Sequence, residues 1–238
     1  MQLIIGNQNY SSWSMRPWVL MKQLGIPFET IKLRLDTDPH SHFKRTVAHH
    51  SPAGQVPILL DDHLSVWDTV AIMEYLHEKY PGKRVWPEDM QQRARARSLV
   101  AEMHAGFGAL RNACPMNLSA RLQHIGPRLW TANAGLRANV ERIEVMWLEA
   151  LAASGGPFLF GGFSAADAMY APICTRLLTY GLPMQPHVRE YALRVVAAPG
   201  VAAWIDEAYA EDDFIADDEP YRHPDGSFLP EWAPAATA

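Results

Sequence analysis

The chain has 238 residues, a formal charge of −5 and 48% hydrophobic residues, enough for a substantial core in one large domain or two small ones. The acidic balance speaks against a nucleic-acid partner, and Arg93, Arg95 and Arg97 are too interleaved with alanine to form a phosphate-binding stripe. Its two cysteines, Cys114 and Cys174, form no C-x-x-C, which excludes a dithiol redox site and points to a reducing compartment, the cytoplasm. No apolar run approaches the ~20 residues of a membrane span, and the start has neither a basic n-region nor a long h-region, so no membrane association is expected.

Leu3-Ile4-Ile5 reads as a short buried strand, and Ser14 to Leu24 as a helix with Trp18, Met21 and Leu24 at helical spacing. Between them lies Asn9-Tyr10-Ser11-Ser12-Trp13-Ser14-Met15-Arg16-Pro17, a hydroxyl-rich loop at a helix start. Unpaired N–H groups and the positive dipole end make such a place hospitable to a thiolate or phosphate, although the same serines could simply cap the helix. Pro17 lacks an N–H, so regular helix is not expected to begin much before Ser14.

Gly25-Ile26-Pro27 ends the helix, and Phe28 to Leu35 suits a second strand, parallel to the first. The polar stretch 36–50 holds His40, His42, His49 and His50, whose spacings fit no zinc set; a short solvated helix and loop is expected, without a metal. Ser51-Pro52-Ala53-Gly54-Gln55-Val56-Pro57 introduces a hairpin of Ile58-Leu59-Leu60 and Leu64-Ser65-Val66-Trp67. The bond before Pro57 can be cis, the trans preference there being only about 0.5–1 kcal/mol, which would turn the Val56 backbone outward to pair with an extended peptide. Asp68-Thr69 opens a further helix reaching about Tyr80, again beside free N–H groups.

The order β-α-β-α-β-β-α over Leu3 to Tyr80 resembles the thioredoxin-like N-terminal domain of the cytosolic glutathione transferases. Ser11-Ser12-Trp13-Ser14-Met15-Arg16 is similar to the serine motif of the zeta class, which has a cysteine at the Trp13 position. Gln55-Val56-Pro57 matches the family's cis-proline segment, and Asp68-Thr69 falls where the family has Glu or Gln before Ser. The resemblance implies glutathione as co-substrate, with Ser11 donating to its thiolate, Val56 pairing with the cysteinyl unit, and Asp68 with Thr69 binding the γ-glutamyl end. Ser12, one residue out of register, is the alternative donor, and Tyr10 a third. A free thiol titrates at about 8.5, and a hydroxyl beside a helix start can lower that by roughly one to two units.

Residues 81–88, with Pro81-Gly82 and Pro87, read as a linker between domains at 1–80 and 89–238. The second domain reads as all-α: one long helix from Asp89 to about Ala113, a second after Pro127 carrying Leu136, Val140, Ile143, Trp147 and Leu151, and an apolar third behind Ser164-Ala165-Ala166-Asp167, a capping box. That box before a buried helix also resembles the glutathione transferases. The resemblance places Met103, His104, Phe107 and Arg111 at the electrophile's side of the cleft. The tail from Glu211 is expected to lie extended on the surface with a disordered end.

The implied activity is conjugation of glutathione to small electrophiles by a homodimer. Two alternatives stay open: a zeta-like cis-trans isomerase acting on a maleyl keto acid, and a non-catalytic glutathione-binding module.

Overall fold

The structure, a computed structural model, describes residues 1–234. The first part runs β1 (Gln2–Ile5), α1 (Ser12–Gln23), β2 (Glu29–Lys32), α2 (His42–His50), β3 (Ile58–Asp61), β4 (Leu64–Trp67) and α3 (Thr69–Lys79). The sheet order is β2-β1-β3-β4, with β2 parallel to β1 and the β3–β4 hairpin antiparallel. β1 is apolar from Leu3 to Ile5 because the sheet is covered on both faces: Leu3 and Ile5 join the main core, while Ile4 packs with Phe43 and Val47 of α2 and Ile58 of β3.

The second part contains, among the described residues, α4 (Met90–Ala105), α5 (Gly108–Ala113), α6 (Gly126–Ala132), α7 (Ala134–Ser154), α8 (Ala165–Thr179), α9 (Pro186–Val196) and α10 (Pro199–Tyr209). The single helix expected from Asp89 to Ala113 is broken: Gly106 is extended and Phe107 is left-handed, at φ 59°. The second expected helix is likewise divided at Asn133, whose side chain accepts the Leu136 N–H at 2.9 Å and restarts it as α7. Of the described residues, no helix is long and apolar enough to cross a membrane.

α1 lies between the domains, packed on α8 and α10. Gly200 permits the closest approach, since a Cβ there would lie 2.6 Å from the Val19 carbonyl oxygen. Trp18 meets Trp204 edge to face at 5.2 Å between ring centroids, and its indole N–H donates to Thr30 Oγ1 at 3.0 Å. The helix begins at Ser12, two residues earlier than expected from Pro17. The carbonyl that Pro17 leaves without an N–H is that of Trp13, and the hydroxyl of Thr69 donates to it at 3.4 Å. A donor from α3 thus removes the cost that argued for a later start.

α8 is buried on every side from Ala165 to Leu177, so its first turn must be satisfied internally. Asp167 does this: its carboxylate accepts from the N–H of Ser164 (3.0 Å), the Ser164 hydroxyl (3.2 Å), the N–H of Leu159 (3.0 Å) and the Tyr191 hydroxyl (2.9 Å). The tail is irregular from Glu211, with 3-10 turns at Ala216–Asp218 and Pro230–Trp232, and packs Phe228 and Trp232 against the core. The expected disorder concerns residues 235–238, outside the described residues.

Replacing Asp167 by alanine leaves buried donors without an acceptor and is expected to lower the unfolding free energy by about 2–4 kcal/mol in a urea titration. Burial outweighs the four hydrogen bonds and raises the Asp167 carboxyl to about 6. A carboxyl raised on folding holds its proton more tightly in the native state. Its stabilising contribution is therefore complete below about pH 4 and is lost as pH rises through 6. Stability measured against pH should fall over that interval in the wild type and lose that component in Asp167→Asn.

Candidate functional site

Residues Asn7, Gln8, Asn9 and Tyr10 connect β1 to α1 and are nearly all removed from solvent. The Asn7 carbonyl accepts from the N–H groups of Tyr10 (3.2 Å) and Ser11 (2.8 Å), a tight turn that delivers Ser11 to the position just before α1. Ser11 Oγ donates to Ser14 Oγ at 2.7 Å, and Ser14 Oγ accepts the Gly6 N–H at 3.1 Å. Ser14 therefore braces the loop rather than capping the helix. Ser12 Oγ has no hydrogen-bond partner among the described residues, and Ser12 lines the cleft with Ser11.

Tyr10 is not available as a donor. Its hydroxyl donates to Glu219 Oε1 (2.8 Å) and to the Asp213 carbonyl (3.0 Å), and burial, followed by the bond to Glu219, raises its pKa far above the ordinary phenol value.

The cleft consists of two cavities. The larger, about 840 Å³, is bounded by Ser11, Ser12, Val56, Arg111, Arg176 and, from the tail, Phe214 to Asp218. The smaller, about 240 Å³, is bounded by Val56, Pro57, Asp68, Thr69 and His104; Trp13, Gln55, Val56 and Arg111 line both. The Val56–Pro57 bond is cis. The β3 ladder begins only at Ile58, and the Val56 N–H and C=O have no backbone partner among the described residues.

Asp68 sits at φ 75°, an unusual backbone setting for a non-glycine residue, and its Oδ1 accepts the Val70 N–H at 2.9 Å, capping α3. Its Oδ2 lies 3.3 Å from His104 Nε2, and the carboxylate is 46% exposed. Thr69 is buried and spends its hydroxyl on Trp13, so toward the cavity it offers backbone at a helix start.

Of the residues expected on the electrophile's side, only Arg111 reaches the larger cavity. His104 faces Asp68 in the smaller one, edge-on to Trp13 at 5.2 Å. Met103 is fully buried, Phe107 nearly so, and neither lines either cavity. Met103 lies inside α4, before the break, and turns to the core while its neighbour His104 turns to the cavity; Phe107 sits at the break itself.

Sequence reading missed Arg176 and the tail. Arg176 is the one cation of the apolar α8, a pattern that signals a buried cation with a task. It donates to the carbonyls of Cys114 (2.7 Å) and Pro172 (3.3 Å), and burial pushes its pKa down to about 10. Burial likewise lowers the Arg111 pKa. Neither arginine has a carboxylate within salt-bridge distance among the described residues. Arg16 is fully buried in front of them, its Cζ 4.0 Å from the Trp13 ring centroid, with bonds to the carbonyls of Met169 and Ser12. Trp13 is thus the shared aromatic wall of both cavities with guanidinium groups against it.

Two family models match the chain: "Glutathione S-transferase, N-terminal domain" over residues 10–79 and "Glutathione S-transferase, C-terminal domain" over residues 131–207. Maleylacetoacetate isomerase of Mus musculus is 34% identical over 101 residues, 42% of this chain, and the match spans 46% of that protein, less than half its length. Glutathione S-transferase theta-1 of Rattus norvegicus is 28% identical over 197 residues, 77% of this chain and 78% of the relative. Among solved structures, a glutathione transferase homolog from Burkholderia gl BGR1 with bound glutathione superposes with a TM-score of 0.66 at 24% identity, over 88% of this chain and 98% of that one. A maleyl pyruvate isomerase, a bacterial protein of the zeta class, gives 0.66 at 20% identity, over 90% and 100%. At those identities the structures speak for the fold. With both domain models matched in order across that fold, the chain belongs to the glutathione S-transferase family.

Proposed function

We propose that this protein is a glutathione transferase that holds glutathione across the two joined cavities and presents its thiolate to a small electrophile in the larger one. The observation that carries the reading is the convergence of Ser11, Ser12 and the unpaired Val56 backbone on one wall, continuous with the Asp68 cavity. The Val56 N–H and C=O suit the extended main chain of the cysteinyl unit. The open side of the Asp68 carboxylate suits the α-ammonium of the γ-glutamyl end, and the start of α3 at Thr69 its α-carboxylate.

Two hydroxyls at 2.7 Å share one bridging proton, and either can be its donor. Because Ser14 already accepts from Gly6, its own proton can turn to Ser11, leaving the Ser11 proton free to point at a sulfur. The start of α1 adds its dipole, so the thiolate is favoured over the thiol. Its electron pair forms the S–C bond while the electrophile's leaving group departs with the pair of the bond it breaks; no residue of the chain is covalently engaged. Ser12 flanks the same position.

The cationic floor favours a second reading. Arg111 and Arg176 face the larger cavity without carboxylate partners, which suits a substrate with carboxylates, and a glutathione-dependent isomerase of maleyl keto acids would use them. Trp13 in place of the zeta cysteine counts against it.

For the assembly we propose a homodimer that covers Leu64 and Trp67 of β4 and Met90 of α4, apolar side chains exposed on the monomer. The cytoplasm is its proposed compartment. Sedimentation should give twice the chain mass, and a single-chain mass would refute the dimer.

Titrating the ultraviolet absorbance of enzyme-bound glutathione should show its thiol pKa raised by about one unit or more in Ser11→Ala and by less in Ser12→Ala. The reverse order would transfer the role to Ser12, and no shift in either would overturn the mechanism. Arg111→Met should lower kcat/KM about tenfold for a maleyl keto acid, the loss of one charge-assisted hydrogen bond, while changing that for a chloro-nitrobenzene little. Equal losses on both substrates would remove the basis for the isomerase reading.

A further inference from the structure

The loop that delivers Ser11 is held from outside its own domain. Four consecutive residues, Asn7 to Tyr10, are buried, so each polar group on them needs a partner. Many of those partners lie between Trp204 and Glu219, at the end of α10 and in the tail. The Trp204 indole donates to the Gln8 carbonyl at 2.9 Å, the Asn7 amide to Asp213 Oδ2 at 3.0 Å, and the Tyr10 hydroxyl to Glu219 Oε1 at 2.8 Å. Within this set one carboxylate has a special place. Glu211 Oε1 accepts the N–H of Gln8 at 2.9 Å and Glu211 Oε2 the N–H of Asn9 at 3.0 Å, two successive backbone donors on one ionised group. Lys32 at the end of β2 balances the charge, its Nζ 2.9 Å from Glu211 Oε1.

We infer that Glu211 is a positioning residue for the thiolate-binding loop. The inference rests on the Ser11 reading above. Gln8 and Asn9 form the tip of the turn whose ends are the Asn7 carbonyl and the Ser11 N–H, so a carboxylate gripping both N–H groups sets how far Ser11 stands into the cavity. Three residues on, the same tail supplies Phe214 to Asp218 as a wall of that cavity. The wall against the electrophile and the brace behind the thiol are therefore one continuous piece of chain, and closing one sets the other.

Glu211 touches no part of the cleft, so its removal is read in the thiol itself. Glu211→Gln replaces one acceptor oxygen by an N–H donor facing another N–H. The pKa of bound glutathione is expected to rise by about one unit, a roughly tenfold loss of thiolate at neutral pH, while the KM for glutathione changes less than about twofold. Glu211→Asp keeps the charge but shortens the reach and should give an intermediate rise, which keeps the test decisive if the glutamine variant does not fold. Glu207→Gln is the comparison: among the described residues Glu207 accepts a hydrogen bond only from the Gln8 side chain, at 2.8 Å, and its loss should lower the melting temperature without moving the thiol titration. A thiol pKa unchanged in both Glu211 variants, or moved equally by Glu207→Gln, overturns the inference. Ser11→Ala separates the two claims: if it too leaves the thiol unmoved, the donor assignment falls and this inference with it, whereas a shift in Ser11→Ala alone removes only the role of Glu211.

Discussion

The site depends on one constraint: the polar turn Asn7–Tyr10 is buried and has to be paired. A strand that ends inside the protein and a helix that starts there leave backbone donors with no water to meet, and each unpaired one costs about 1–3 kcal/mol. Most of the required acceptors come from α10 and the tail, about two hundred residues away in sequence. Satisfying them fixes where Ser11 stands, and the chain that satisfies them becomes the cleft's outer wall.

A second constraint ties α1 to α3. Pro17 takes one N–H from α1, and the hydroxyl of Thr69 answers the Trp13 carbonyl left over. The residue before Thr69 is Asp68, whose φ of 75° and cap on Val70 set its carboxylate toward the smaller cavity. The two ends of the bound peptide in our proposal, thiol and γ-glutamyl, are thus held by helix starts bonded to one another. Trp13 fills the corner between them, where its size brings it against Arg16, Arg111 and His104.

The electrostatics of the cleft follow from which charges lack partners. Arg16 is fully removed from solvent, Arg176 nearly so and Arg111 in part, and burial lowers the pKa of all three. Within the described residues none has a carboxylate at salt-bridge distance, so their charges are only partly offset by acidic side chains further off. Asp218 in the tail wall, its carboxyl raised to about 6 mainly by burial, is an acidic counterweight to Arg176.

The sequence by itself determined what local chemistry dictates: a buried apolar strand, a hydroxyl-rich turn into a helix, a hairpin entered through proline, an Asp-Thr helix start and an Asp167 cap in front of an apolar helix. Each is a short-range pattern whose energy is settled within a few residues. Tertiary structure alone decided the rest. Only the fold shows that Thr69 answers Pro17 and lets α1 begin at Ser12, that Tyr10 is consumed by Glu219, and that Met103 and Phe107 turn to the core while His104 and Arg111 line the cleft. Arg176 left a trace as a lone cation in an apolar run, but its cavity did not. Glu211 left none, because an exposed acidic tail and a buried brace have the same composition, and only long-range packing tells them apart.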